Sequence, residues 1–177
     1  MKKDTKGHLH IITQAIRDLV KISDEMGFSA VTGPELETEF YNFDALNIPA
    51  THPSRDMQDT FWIKTKPGGE KKVLRTQTSD VQIHFLEKMK HGMKPFKIVV
   101  PGKVFRNETT DATHEAQFHQ FEALYVNKKV SLTELKGTLE TLFTKFLGEE
   151  AKIRFRPSYF PFVEPAVEVD VWWKGKW

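Results

Sequence analysis

Cysteine is missing from this 177-residue chain, which excludes structural disulfides, thiolate zinc sites and thiol nucleophiles. Long apolar runs are missing as well. Nothing approaches the roughly 20 residues a bilayer-spanning helix needs, and the basic start 1–6 leads into an amphipathic segment with no signal-peptide core. A soluble, cytoplasmic protein with no membrane association is the expectation. A strong charge bias is absent too: the formal net charge is +2 with both signs interspersed, so composition does not demand a polyanionic partner. There is no internal repeat and no low-complexity tract.

What remains suits one domain, long enough to bury roughly 70% of the surface its unfolded chain exposes. Ile12, Ala15, Ile16, Leu19, Val20 and Ile22 fall near helical spacing, and Gly27 supplies the stop, so a helix is predicted over 10–26. A short strand over 28–32 ends at Gly33-Pro34. Residues 41–59 are rich in Asn, Pro and Asp and read as ordered but irregular. Lys66-Pro67-Gly68-Gly69 is a turn, and 73–76 a short strand. Thr78 or Ser79 is placed to cap a helix carrying Val81, Phe85, Leu86 and Met89. Strands are expected over 97–100 and 103–107, hinged at Pro101-Gly102, with a return strand over 117–126. Ser131 and Glu134 form a capping box for a helix whose stripe is Leu132, Leu135, Leu139, Leu142, Phe143 and Phe146, expected to cover the sheet. The last strands are 153–156 and 166–173. Hairpin-compatible connections favour an α+β fold, an antiparallel sheet flanked by helices.

The chemistry concentrates in Phe105-Arg106-Asn107-Glu108 and Phe118-His119-Gln120-Phe121-Glu122. Strand alternation puts Arg106 and Glu108 on one face, and Phe118, Gln120 and Glu122 on one face, around a polar loop over 109–116. A hairpin presenting a guanidinium, two carboxylates, an amide and a ring can grip a triphosphate and stack a base. Alone, Arg106 fits a strand arginine paired with Glu108 as well as a phosphate ligand, and Phe118 fits core packing. Phe121, Ala123 and Tyr125 point the other way and are assigned to packing. His114 and His119 stand five apart outside a helix, which does not match the zinc-protease spacing of four, so no metal ligand is assigned. Phe160 and Phe162 flank Pro161 and would share one side of an extended segment, as an apolar slot or a buried pair. Glu168 and Asp170 share a strand face, either as a magnesium pair or, the plainer reading, as a solvated edge.

The hairpin resembles motif 2 of the class II aminoacyl-tRNA synthetases. The segments Tyr41-Asn42-Phe43-Asp44-Ala45-Leu46-Asn47, His52-Pro53-Ser54-Arg55-Asp56-Met57-Gln58-Asp59-Thr60-Phe61, Leu74-Arg75-Thr76-Gln77-Thr78-Ser79 and Tyr159-Phe160-Pro161-Phe162 resemble the phenylalanyl-tRNA synthetase alpha subunit, as do Gly33-Pro34-Glu35 and Asp111-Ala112-Thr113-His114-Glu115. The resemblance implies a class II catalytic-domain fold over 1–177, with motif 1, a subunit-interface element, at about 10–34, and motif 2 at about 103–126. Motif 3 is not found, so a partial domain, truncated at its C-terminus, is expected. It implies that Arg106 is catalytic, meeting the α-phosphate of ATP and the carboxylate of phenylalanine. Glu108 and His114 would meet ATP, and Phe118 would stack on adenine. Gln58, Gln77, Ser79, Gln82, Gln120, Glu122, Phe160 and Phe162 would hold phenylalanine. ATP and Mg2+ are the implied cofactors, and phenylalanine, tRNA(Phe) and a beta subunit the implied partners. Apolar surface around Phe28 and 41–46 is then expected to be exposed for that subunit. The expected activity is formation of phenylalanyl-adenylate and transfer of the acyl group to tRNA(Phe). A non-catalytic ligand-binding or subunit-interaction module is the alternative. A pyrrolysine-type synthetase shares the motif 2 logic but not the block from Asn42 to Asn47.

Overall fold

Helix α1 (Ile11–Glu25) opens the computed structural model, which describes residues 7–56, 59–89, 94–112 and 114–177. It stops as its sequence requires. Gly27 takes a left-handed φ of 82°, and the N–H groups of Gly27 and Phe28 donate to Asp24 and Ser23. That turn tucks Phe28 under the fold and delivers β1 (Ser29–Ala30). There follow β2 (Leu36–Thr38), the single helical turn α2 (Glu39–Asn42), two 3-10 turns (Asp44–Leu46 and Pro53–Arg55), β3 (Trp62–Ile63) and β4 (Lys72–Leu74). Then come α3 (Asp80–Lys88), β5 (Phe96–Phe105), β6 (Gln117–Val126), α4 (Leu132–Leu147), β7 (Lys152–Phe160) and β8 (Val163–Trp172).

The α+β class holds, but the expected sheet resolves into three: β1-β5-β6, β2-β4-β3 and the hairpin β7-β8. Pairing is antiparallel throughout except β1 on β5, which runs parallel through Ser29 opposite Ile98 and Ala30 opposite Val99. Strand β5 is central. Ile98, Val99 and Val100 are all buried, the continuous apolar run of a strand covered on both faces rather than an alternation.

Pro101-Gly102 is no hinge. Val99 accepts from the Val31 N–H, so odd-numbered residues of β5 direct their backbone polar groups away from β6, and Phe105 donates to Arg75 on that same side. The donor Pro101 lacks is therefore one the β6 ladder never uses, and the strand runs unbroken. Other expectations shift similarly. The 41–59 stretch contains three helical turns, because Thr38 caps α2, His52 caps the second 3-10 turn, and Phe43 is fully buried with Ile48 and Val73. Phe28 and Phe43 are thus core, not exposed interface. In the first third of the chain the exposed large apolar side chains are instead Leu9, Ile11, Ile12, Leu36 and Phe40. Helix α4 is capped by Ser131 as expected, yet it packs on α1 and β7 and stands off β6. Ala123 stays exposed, and an apolar groove of about 340 Å³ runs between Tyr125, Phe28 and the α4 leucines.

A buried polar layer ties the first two sheets together. The Arg75 guanidinium donates from Nε to the Lys103 carbonyl at 2.8 Å and from Nη1 to those of Pro34 (3.2 Å) and Gly33 (3.4 Å). Asp80, fully buried at the start of α3, accepts no hydrogen bond of normal geometry. Burial pushes its pKa from 3.8 up to about 7, against the pull of Arg75 and with the help of Glu37. Because the folded value lies above the unfolded one, its contribution to stability is complete below about pH 4 and disappears as pH rises through about 7. Urea unfolding is therefore expected to show the chain less stable at about pH 8 than at about pH 5.5, by on the order of 2 kcal/mol. Asp80→Asn should remove most of that difference; an unchanged slope would place the titration elsewhere.

Candidate active site

The end of β5, the segment 76–79 and the tip of the β7-β8 hairpin converge on a cleft of about 360 Å³. Arg106, Glu108, Gln77 and Phe162 line it, together with His52 and Asp59. Arg106 and Glu108 sit just past the end of β5 rather than within it. The ladder continues one step, the Arg106 N–H donating to Ala116 at 2.9 Å, before the chain leaves the sheet and Asn107 donates to the Asp59 carbonyl at 3.2 Å. The guanidinium carbon of Arg106 lies 5.0 Å from the centre of the Phe118 ring, so the two share one side of the hairpin.

Farther along that face, Glu122 is the focus of a second cluster. Ser79 Oγ donates to both carboxylate oxygens at 2.8 Å, Thr78 Oγ1 to one at 3.0 Å, and the Gln82 amide to the other. The Thr78 N–H donates to Gln120 Oε1 at 3.1 Å. Burial raises the Glu122 pKa, while the hydrogen bonds from Ser79, Thr78 and Gln82 act to lower it. This engagement explains why neither hydroxyl caps α3: both turn inward to the carboxylate, leaving Ser79 as the N-cap with no side-chain bond to the helix.

The segment 76–79 is held from behind. Buried Asn42 exchanges two 3.1 Å hydrogen bonds with Thr76 and accepts from the Gln77 amide at 2.9 Å. Phe160 and Phe162 stack at 5.9 Å, but at a hairpin turn, since Phe160 pairs with Val163 and the chain reverses between them. Phe162 alone turns into the cleft, edge-on to His52 at 6.0 Å. His114 does not line the cleft; it is exposed, with Nδ1 2.9 Å from Asp111 Oδ2. Gln58 lies outside the described residues. Glu168 and Asp170 are ion-paired to Arg156 at 2.8 Å each, an exposed strand ladder rather than a metal pair.

Sequence reasoning thus brought together Arg106, Glu108, Gln77 and Phe162 at the cleft, and Ser79, Gln82, Gln120 and Glu122 beside it. It missed His52, Asp59 and Thr78 as contributors. Thr78 was legible as the third hydroxyl or amide in Gln77-Thr78-Ser79; the other two carry no local signal beyond their segment.

Because every side-chain donor at Glu122 points at a carboxylate, Glu122→Gln would set its own amide hydrogens against them. Loss of about 1–3 kcal/mol in urea unfolding is expected. An unaffected midpoint would mean that the cluster does not hold the hairpin to α3.

The profile for the tRNA synthetases class II core domain (F) matches residues 1–177. The phenylalanine–tRNA ligase alpha subunit of Synechocystis sp. is 49% identical over 172 residues, covering 97% of this chain and 50% of that protein. Its counterpart in Glaesserella parasuis is 51% identical over 177 residues, covering 99% and 51%. The chain spans about half the length of the curated relatives it matches. Pyrrolysyl-tRNA synthetase from Desulfitobacterium hafniense superposes with a TM-score of 0.71 over 96% of this chain and 58% of that one, at 20% identity, a shared fold alone. By sequence, the chain belongs to the class II tRNA synthetase core-domain family of the phenylalanine (F) type.

Proposed function

We propose that the chain is the catalytic part of a phenylalanine–tRNA ligase alpha subunit, a single domain with motif 1 at about 10–34 and motif 2 at about 103–126. It would activate phenylalanine with ATP and pass the acyl group to tRNA(Phe), in the cytoplasm and alongside a beta subunit. The observation that carries this reading is the placement of Arg106 and Phe118 on the same hairpin face as the Glu122 cluster, with Phe162 and Gln77 lining the cleft at Arg106. From Phe118 to Glu122 is four strand steps, about 13 Å, the scale of an amino acid laid end to end with a nucleotide phosphate.

The roles follow from charge. The ammonium of phenylalanine sits against Glu122, whose hydroxyl partners Ser79 and Thr78 can turn to share it, with Gln120 alongside. The benzyl ring meets Phe162 edge-on or offset, and Phe160, stacked on Phe162, supports that ring from outside the cleft. The carboxylate then faces the α-phosphorus. One carboxylate oxygen forms the new P–O bond, the bond to pyrophosphate breaks, and Arg106 stabilises the charge on the equatorial oxygens. Arg106 now covers one face of Phe118. A guanidinium over an exposed ring gains about 0.5–1 kcal/mol, less than a charge-assisted bidentate phosphate contact. ATP therefore draws Arg106 off the ring, and adenine takes the face it leaves. In the second step a ribose hydroxyl of tRNA attacks the acyl carbon and AMP leaves. Asp59 and Glu108, carboxylates at the cleft beside Arg106, are the hard oxygen donors that suit Mg2+ and would hold it against the triphosphate. Bound there, the ion would neutralise phosphate charge. His114, in the loop beyond, is assigned to the phosphates of ATP.

Phenylalanine-dependent exchange of pyrophosphate into ATP tests the chemistry. Arg106→Ala is expected to lower it by at least about 100-fold. In calorimetry, Phe162→Ala should weaken phenylalanine about 10-fold or more and leave ATP unchanged. Binding of both ligands with no exchange would instead identify a non-catalytic ligand-binding module, and binding of neither would end the reading.

A further inference from the structure

Gly102 lies where β5 passes beneath the segment that carries Thr78 and Ser79. Its backbone is ordinary strand, outside the positive-φ region, so conformational freedom does not call for glycine here. Space does. A Cβ at this position would fall inside van der Waals distance of Arg75 Nη2, 2.9 Å from Thr78 Cγ2 and 3.1 Å from Arg75 Cζ. Neither neighbour has room to retreat. Arg75 is 3% exposed and is pinned by Nε to Lys103 and by Nη1 to Gly33 and Pro34, while Thr78 is fully buried.

The register makes this contact matter. Gly102 pairs with Gln120, and Val100 with Glu122. Thr78, pressed against Gly102, gives its N–H to Gln120 and its hydroxyl to Glu122. The closeness of segment 76–79 to β5 is therefore also its closeness to the acceptors on β6.

We propose that Gly102 is a positioning residue for amino-acid recognition: its missing side chain lets Arg75 and Thr78 close on β5, which sets Thr78 and Ser79 at bonding distance from Gln120 and Glu122. This rests on the reading of the Glu122 cluster as the ammonium site. A methyl at residue 102 displaces segment 76–79 by about 1 Å, enough to carry 3.0 Å hydrogen bonds beyond their limit. The clash falls on the side-chain ends of Arg75 and Thr78, whereas the end of β5 next to Arg106 is also held by the Arg75 backbone carbonyl, which accepts from the Phe105 N–H, and by the Arg106 N–H to Ala116.

The test is calorimetry of the whole chain with phenylalanine and, separately, with ATP. Gly102→Ala is expected to weaken phenylalanine by about 10–100-fold while ATP affinity stays within about twofold. Thr78→Val, which keeps the shape against Gly102 but removes the hydroxyl, should shift phenylalanine in the same direction without loss of fold. Equal weakening of both ligands by folded Gly102→Ala would reduce the residue to general packing and overturn the proposal, as would unchanged phenylalanine binding. Should that variant not fold, Thr78→Val decides alone: weaker phenylalanine with ATP unchanged supports the proposal, and unaltered phenylalanine overturns it. No phenylalanine binding by the unaltered chain would defeat the reading of the site itself, and this proposal with it.

Discussion

The buried guanidinium of Arg75 is the constraint on which the site depends. Its side chain reaches the carbonyls of Gly33, Pro34 and Lys103, while its backbone N–H donates to Glu35 and its carbonyl accepts from Phe105. One residue therefore fixes the approach to β2, the run of β4 and the end of β5. Lysine could not substitute for it: a single ammonium has no planar fork with which to span the carbonyls of β5 and of the 33–34 loop. The segment 76–79 begins at the next residue, so its position follows from this junction, and Asn42 completes the hold from the other side.

Two carboxylates flank that segment, and burial raises the pKa of both, yet they are handled in opposite ways. Asp80 accepts no well-formed hydrogen bond and has Arg75 as its nearest compensating charge, so ionisation there costs the fold stability. Glu122 is held by three uncharged donors, the Ser79 hydroxyl shared between both of its oxygens. Neutral donors satisfy its lone pairs without cancelling its charge. A desolvated anion in that state gains most from a cation brought to it, which is the ground on which Glu122, and not Asp80, is proposed for the ammonium.

How much of this was legible in sequence varied with the range of the determining contact. Local signals were sound. The α1 stripe and its Gly27 stop, the Ser131 cap and the span 117–126 all depend on neighbours within a few residues. The Pro101-Gly102 hinge failed because whether proline breaks a strand depends on which edge its missing donor faces, and that is set by β1 and Arg75, distant in sequence. The capping role of Thr78 and Ser79 failed for a like reason: Glu122, more than forty positions away, is the better partner for both hydroxyls. The exposure expected around Phe28 and 41–46 came from the implied beta-subunit contact, and at Phe28 and Phe43 it failed because the turns that bury these rings depend on contacts no local pattern announces.

The residues that carry the family resemblance are largely not those that would touch a substrate. Asn42 holds Thr76 and Gln77, Phe43 fills the core with Ile48 and Val73, and Asp44 takes Arg55 in a 2.7 Å ion pair. Arg55 in turn is largely buried, donating to the Ile48 carbonyl and lying over the Phe43 ring. These contacts join loops that have no regular structure to hold them, so each depends on one residue type in one place and tolerates little substitution. The cleft's own groups, a guanidinium, a carboxylate and two rings, are chemically common and could be supplied by many folds. What makes them a site is that Asn42, Arg75 and Gly102 hold two sheets and the segment 76–79 within hydrogen-bonding distance of one another.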